Sequence, residues 1–168
     1  KALIPVDSWG LSEKMPFHRF SYWYVNHTNL TLLQYRLCAR YRWLAKWSLS
    51  YALIGNKAVI TDSLVDEVMQ SCHGDMAGKS MLNYQRSSAD KYRSKPYYLD
   101  TLKNFKKPVI YIIGEKDPLV PLKDIYKAAV ETPNRKVAVF KGCKHWSVKE
   151  RPQRFCRIVE TVFANIKC

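Results

Sequence analysis

No stretch of the sequence approaches the roughly 18 uninterrupted apolar residues of a membrane-spanning helix, and the N-terminus has no apolar core of a secretory signal. A transmembrane segment is therefore not expected. Acidic residues are scarce as well: 14 Asp and Glu stand against 28 Lys and Arg, a net charge of +14. An excess of that size favours polyanionic neighbours such as RNA, anionic lipid or acidic protein surfaces. Paired cysteines are missing. Cys38, Cys72, Cys143, Cys156 and Cys168 are odd in number, irregularly spaced and include no C-x-x-C, so they read as free thiols in a reducing compartment. Two N-x-T triplets, at Asn26 and Asn29, point weakly the other way, and three-residue matches arise by chance. Cys143 with His145, and Cys72 with His73, fall short of a four-ligand zinc set, so neither a metal nor a cofactor is expected. Internal repeats and low-complexity tracts are absent too. What remains is a chain of 168 residues, 47% hydrophobic, enough for a packed core. It begins at Lys1 rather than methionine, which implies a processed N-terminus or a start inside a longer product.

Three segments differ in pattern. Residues 1–10 hold a short apolar run, Ala2-Leu3-Ile4-Pro5-Val6, closed by Asp7-Ser8-Trp9-Gly10, as for a strand entering a turn. Residues 11–107 read as helical and aromatic-rich. Asn29 or Thr28 can cap a helix whose Leu30, Leu33, Leu37, Tyr41 and Leu44 recur at steps of three and four, ending near Gly55. Thr61-Asp62 caps a second helix with Leu64, Val65 and Val68 as its apolar side and Gly74 as its stop. A third helical stretch covers Met76 to Tyr92. Residues 108–168 alternate: a continuously apolar strand from Val109 to Ile113, as for a parallel strand buried on both faces; a helix from Lys123 to Glu131; a strand from Val137 to Phe140; and an amphipathic helix from Gln153 to Ile166 with Phe155, Ile158, Val159, Val162 and Phe163 inward. The result is an α/β chain with a β-α-β-α ending after a large helical insertion.

Two residues stand where open α/β sheets place their chemistry, at the carboxyl ends of strands. Asp117 follows the first apolar strand and the Gly114 turn, with Pro118 and Pro121 fixing its loop. Taken alone, it is as readily a turn aspartate bonded to its own backbone. His145 follows the next strand beyond Gly142. An imidazole there can accept a hydroxyl proton and return it to a leaving group when a carboxylate holds its other nitrogen. An acid and a histidine at successive strand ends suit the second and third members of a catalytic triad. In the insertion, Tyr35, Tyr41, Trp43, Trp47 and Tyr51 interleave with arginines; such rings are core or pocket wall more often than a nucleic-acid surface.

Gly114-Glu115-Lys116-Asp117-Pro118-Leu119-Val120-Pro121, Gly142-Cys143-Lys144-His145-Trp146 and Glu150-Arg151-Pro152-Gln153-Arg154-Phe155 resemble the C-terminal third of the α/β-hydrolase fold superfamily. Residues 1–10 are similar to that family's strand after the nucleophile. The helical insertion resembles its cap domain, with Thr61-Asp62-Ser63-Leu64-Val65-Asp66 similar to cap sequences of plastid-type and epoxide-hydrolase-like members. The resemblance implies the C-terminal part of a hydrolase sheet, about three parallel strands with flanking helices, interrupted by a helical cap. It implies Asp117 as triad acid and His145 as triad base in ester-type hydrolysis.

The same resemblance exposes a gap. The family's nucleophile stands on a G-x-S-x-G elbow before the strand that opens this sequence, and no such elbow is present. Gly78-Lys79-Ser80-Met81-Leu82 lacks the second glycine, follows a helix rather than a strand, and fits a phosphate loop no better. Three parallel strands with open edges also need cover. The expected partner is therefore the N-terminal half of the fold, on a separate chain or a missing segment, and a serine-type, esterase- or lipase-like activity is expected only if that half supplies the nucleophile. The rival expectation is a non-catalytic, hydrolase-like accessory subunit of a large RNA- or lipid-containing assembly, such as an organellar ribosome or respiratory complex, in a mitochondrion or plastid.

Overall fold

In a computed structural model of the chain, residues 1–14 and 17–165 are described. The helical segment runs α1 (His18–His27), α2 (Leu30–Arg40), α3 (Arg42–Ser48), a π-helical turn at Leu49–Leu53, a 3-10 turn at Lys57–Val59, α4 (Asp62–Cys72), α5 (Asp75–Ser88) and α6 (Leu99–Lys103). Then come β1 (Val109–Gly114), α7 (Leu122–Glu131), β2 (Arg135–Phe140), α8 (Ser147–Glu150) and α9 (Pro152–Asn165). Ile166, expected at the end of the last helix, and Cys168 lie outside the described residues.

Val109-Ile110-Tyr111-Ile112-Ile113 is wholly β-branched or aromatic, which suits a pleated strand, and all of β1 is buried. β1 is flanked on both sides. β2 pairs with it in parallel from Val109↔Arg135 to Gly114↔Phe140. On its other side Leu3 and Val6 bridge in parallel to Val109 and Ile112, so residues 2–6 follow the third strand's path through two bridges rather than a full ladder. Alternate side chains of β1 serve opposite layers. Val109, Tyr111 and Ile113 pack with Leu99, Leu102, Ile125 and Ala128 beneath α6 and α7. Ile110 and Ile112 pack with Phe140, Cys143, Phe155, Ile158 and Val162 beneath α9. The Tyr111 hydroxyl, thrust into this core, is satisfied: its Oη lies 2.7 Å from Thr132 Oγ1, which donates to Ala128 O at 2.8 Å. Among the described residues no strand pairs with the outer edge of residues 2–6 or of β2.

The helical segment has a core of its own, built from Cys38, Ala45, Leu49, Ile54, Ile60, Leu64 and Val65. Thr61 caps α4 as expected, its side chain accepting from Leu64 N at 3.2 Å. The helix expected to run unbroken from residue 29 to Gly55 does not. Tyr41 is extended (φ −115, ψ 104) and separates α2 from α3. No proline or glycine marks the break. It coincides with Arg42 reaching across to Asp66 and to the Asp62 carboxylate, the latter at 3.0 Å. The packing face differs as well: Leu30 and Leu33 are 47% and 48% exposed, whereas Thr31 and Cys38 are buried. α2 meets α5 closely, because a Cβ on Gly78 would lie 3.2 Å from both Leu32 and Tyr35. The small residue at that approach is Gly78 of α5, against Leu32 and Tyr35 of α2. In α9, Phe163 is turned out rather than inward, at 69% exposure.

Candidate active site

β1 delivers the chain to Gly114, and the following turn closes with Asp117 N donating to Gly114 O at 3.2 Å. The two carboxylate oxygens of Asp117 then do different things. Oδ1 accepts from Leu119 N at 2.8 Å and Val120 N at 3.0 Å, the self-bonded turn of a loop aspartate. Oδ2 lies 2.9 Å from His145 Nδ1. The turn and the contact with histidine coexist in one residue. The Asp117 side chain is fully buried and that of His145 is 26% exposed. With the proton on Nδ1 shared with Asp117, the neutral imidazole keeps its basic lone pair on Nε2, which no hydrogen bond engages among the described residues.

The loop carrying His145 is held by backbone groups and neighbours, not by the imidazole. Lys116 N donates to Cys143 O at 2.8 Å, which laces the acid loop to the histidine loop. Trp146 N donates to Leu53 O at 2.8 Å, and the Trp146 ring packs on the helical segment's core. Lys144 Nζ donates to the carbonyls of Ser50 and Tyr51, the latter at 2.8 Å. Glu150 is buried and accepts from Lys144 N at 2.8 Å through one oxygen and from Asn56 N at 2.7 Å through the other. Gly55 and Gly142 approach so closely that a Cβ on Gly55 would collide with the Gly142 carbonyl. The helical segment is thus seated directly on the loop that presents His145.

Two further side chains near His145 have the right chemistry for a nucleophile but the wrong surroundings. Cys143 is buried; its Sγ lies 3.6 Å from Lys141 O, and burial, with the Glu150 carboxylate, pushes its thiol up from the ordinary value. Ser147 is fully buried, and its hydroxyl donates to Asp7 at 2.6 Å. Asp7 is the residue that sequence reasoning passed over as part of a turn. It follows the segment bridged to β1, so the strand-end rule applied to Asp117 and His145 would have found it. Glu150 carried no such signal, because its partner Asn56 lies 94 positions away.

No family model matches the chain. Over 99 residues, 58% of the chain, it is 29% identical to the 2-hydroxy-6-oxononadienedioate/2-hydroxy-6-oxononatrienedioate hydrolase of Burkholderia vietnamiensis, and the match spans 34% of that protein. An α/β hydrolase from a Medee basin deep-sea metagenome library superposes with a TM-score of 0.71 at 16% identity, over 100% of this chain and 57% of that one. This chain has part of an α/β-hydrolase fold. A meta-cleavage product hydrolase from Pseudomonas fluorescens IP01 superposes with a TM-score of 0.68 at 17% identity, over 99% of this chain and 57% of that one. The chain therefore spans little more than half the length of these α/β hydrolases. Among its described residues no helix is long and apolar enough to cross a membrane, and no group of three or more His, Cys, Asp or Glu could hold a metal ion.

The electrostatics of the Asp117–His145 pair give a testable pH dependence. Burial disfavours the His145 imidazolium, but the hydrogen bond and charge of Asp117, with the more distant Asp7 carboxylate, outweigh it and hold His145 above its ordinary 6.5. A histidine with a raised folded pKa contributes stability that is fully present below the unfolded value and is lost as pH rises through the folded one. Asp7 adds to the same trend, since burial raises its pKa above 3.8 and ionising it therefore costs stability as pH rises. The melting temperature is expected to fall as pH rises from below 6.5 through the folded pKa of His145. His145→Gln should flatten that part of the profile; an unaltered slope in thermal melts would contradict the assignment.

Proposed function

We propose that this chain contributes the acid and the base of a hydrolytic triad, Asp117 and His145, to ester-type hydrolysis whose nucleophile stands on a segment outside these 168 residues. That segment is the N-terminal half of the fold, upstream in the same polypeptide or on a partner chain. The observation carrying the reading is the 2.9 Å contact from a fully buried carboxylate to Nδ1 of a partly exposed imidazole at the carboxyl edge of the sheet. In the assembled site, Nε2 of His145 takes the proton from the attacking hydroxyl and returns it to the leaving group, and Asp117 fixes the tautomer and stabilises the imidazolium. The helical segment 11–107, seated on the His145 loop, acts as a cap. A cleft of about 560 Å³ beside the sheet, lined by Val109, Lys136, Ala138, Ile158 and Val162, and the open outer edge of residues 2–6 offer places for the rest of the fold. The Burkholderia relative's name extends the candidate substrates from simple esters to 2-hydroxy-6-oxononadienedioate and 2-hydroxy-6-oxononatrienedioate.

The pH–rate profile tests the reading. With the nucleophile-bearing segment present, kcat/KM for a chromogenic short-chain ester is expected to fall on the acid side, with a midpoint above 6.5, because protonated His145 is no base. Absence of turnover from the assembled protein, or a rate indifferent to pH in that range, rejects it.

The net charge of +14, together with the missing nucleophile, favours a second reading: a hydrolase-like accessory subunit without catalysis, in an organellar assembly rich in RNA or anionic lipid. Salt-sensitive co-purification with such an assembly, and no hydrolysis by it, would support this reading over the first.

A further inference from the structure

Asp7 is buried at 7% exposure, and its backbone takes φ 42, a left-handed conformation that aspartate and asparagine tolerate better than most residues. Its carboxylate is an acceptor for three donors. Oδ1 takes Gly114 N at 2.8 Å; Oδ2 takes Ser147 N at 3.1 Å and Ser147 Oγ at 2.6 Å. Gly114 opens the acid loop and Ser147 lies two residues after His145, so one carboxylate spans both loops of the pair. Its own backbone N donates to Ile112 O at 2.9 Å, which pins it to β1. Among the described residues no lysine or arginine forms an ion pair with it. A buried carboxylate without a cation is a costly way to close two loops, and such groups collect where a charge is used.

We propose that Asp7 is a positioning residue for His145, holding the histidine loop against the acid loop and placing a second carboxylate behind the Asp117–His145 pair. The charged groups around the imidazole are few. Asp117 bonds to it from the loop after β1, and Asp7, tied to Ser147 two residues on, acts on it by charge from the N-terminal turn. From α8, Glu150 is committed to Lys144 N and Asn56 N, and the Lys144 ammonium is directed at the carbonyls of Ser50 and Tyr51. The Asp7 charge acts on His145 in the same sense as Asp117, favouring the imidazolium. Asp7 therefore assists the protonated state through which a triad histidine passes, with no contact to substrate. Its use in turnover rests on the hydrolytic reading given above; its effect on His145 does not.

The test is an NMR titration of the His145 ring in the 168-residue chain, together with the downfield Hδ1 signal of the Asp117–His145 hydrogen bond. Asp7→Asn is expected to shift the His145 titration to lower pH and to weaken the downfield signal. A folded Asp7→Asn chain whose His145 titrates as before, even with a lower Tm, overturns the proposal and leaves Asp7 a structural tie alone. If Asp7→Asn does not fold, Ser147→Ala decides. Removing the shortest of the three bonds should lower the His145 titration and weaken the Hδ1 signal, and an unchanged pair of readouts overturns the proposal. Because neither readout needs turnover, a failure here leaves the hydrolytic reading standing, and an inactive assembly leaves this proposal standing.

Discussion

On the proposed triad, replacing His145 with alanine should reduce ester hydrolysis by the proposed assembly by about 10⁴-fold or more, the scale seen when a triad member is disabled, while leaving the assembly intact. The first half follows from chemistry. Without an imidazole no other described group near Asp117 can both take the hydroxyl proton and deliver it to the leaving group, because the neighbouring Cys143 and Ser147 are buried and already engaged. The second half follows from how the loop is fixed. Its anchors are Trp146 N on Leu53 O, Lys144 N on Glu150, and the Lys144 ammonium on Ser50 and Tyr51. None of these uses the imidazole, which among the described residues bonds to Asp117 alone. Kinetics on the purified assembly, with size-exclusion chromatography on the same sample, separate the two effects. Turnover equal to that of the unsubstituted protein would sink the mechanism, and loss of the assembly would show that His145 is an interface residue instead.

The parts of this molecule that could be read from sequence are those where a single physical signal is strong. β1 declared itself by five consecutive β-branched or aromatic residues, because a strand covered on both faces has no polar side to show. Asp117 and His145 followed from one rule about strand ends. α1 was not legible: of its ten residues only Val25 is buried, and Phe20 and Trp23 face outward, so its apolar residues give no periodic stripe. Nor was the break at Tyr41, which coincides with Arg42 meeting Asp62 and Asp66 some twenty positions downstream. A contact of that range leaves no trace in a local window. The seating of the helical segment was equally hidden, since Glu150 and its partner Asn56 lie 94 positions apart. At the Tyr41 break and in the seating of the helical segment, polar contacts between residues far apart in sequence meet where the local pattern shows nothing.

The second large effect should come from Gly114→Ala, at the junction on which the whole site turns. Gly114 ends β1, gives its N–H to Asp7 and its carbonyl to Asp117 N. Its conformation is not the reason it must be glycine, since only Gly10, Gly74 and Gly142 have positive φ among the described glycines. The reason is space. A Cβ there would collide with the Lys144 carbonyl and lie 2.7 Å from Cys143 O. Both are backbone atoms of the loop that carries His145, so no side chain can rotate away to relieve the contact. The loops must part, at a cost of about 1–3 kcal/mol for an overpacked site, which for a chain of this size lowers Tm by roughly 2–4 °C per kcal/mol. The same parting pulls His145 from Asp117, and a misplacement of about 1 Å can cost on the order of 10²-fold in rate. Gly142→Ala is the control. Its φ of 74 favours glycine, yet nothing lies within 4 Å of an added Cβ, so it should carry a backbone penalty of roughly 1–2 kcal/mol while the Asp117–His145 contact persists. If the downfield proton of that contact survives Gly114→Ala as well as it survives Gly142→Ala, close packing at the strand end is not what sets the geometry of the pair.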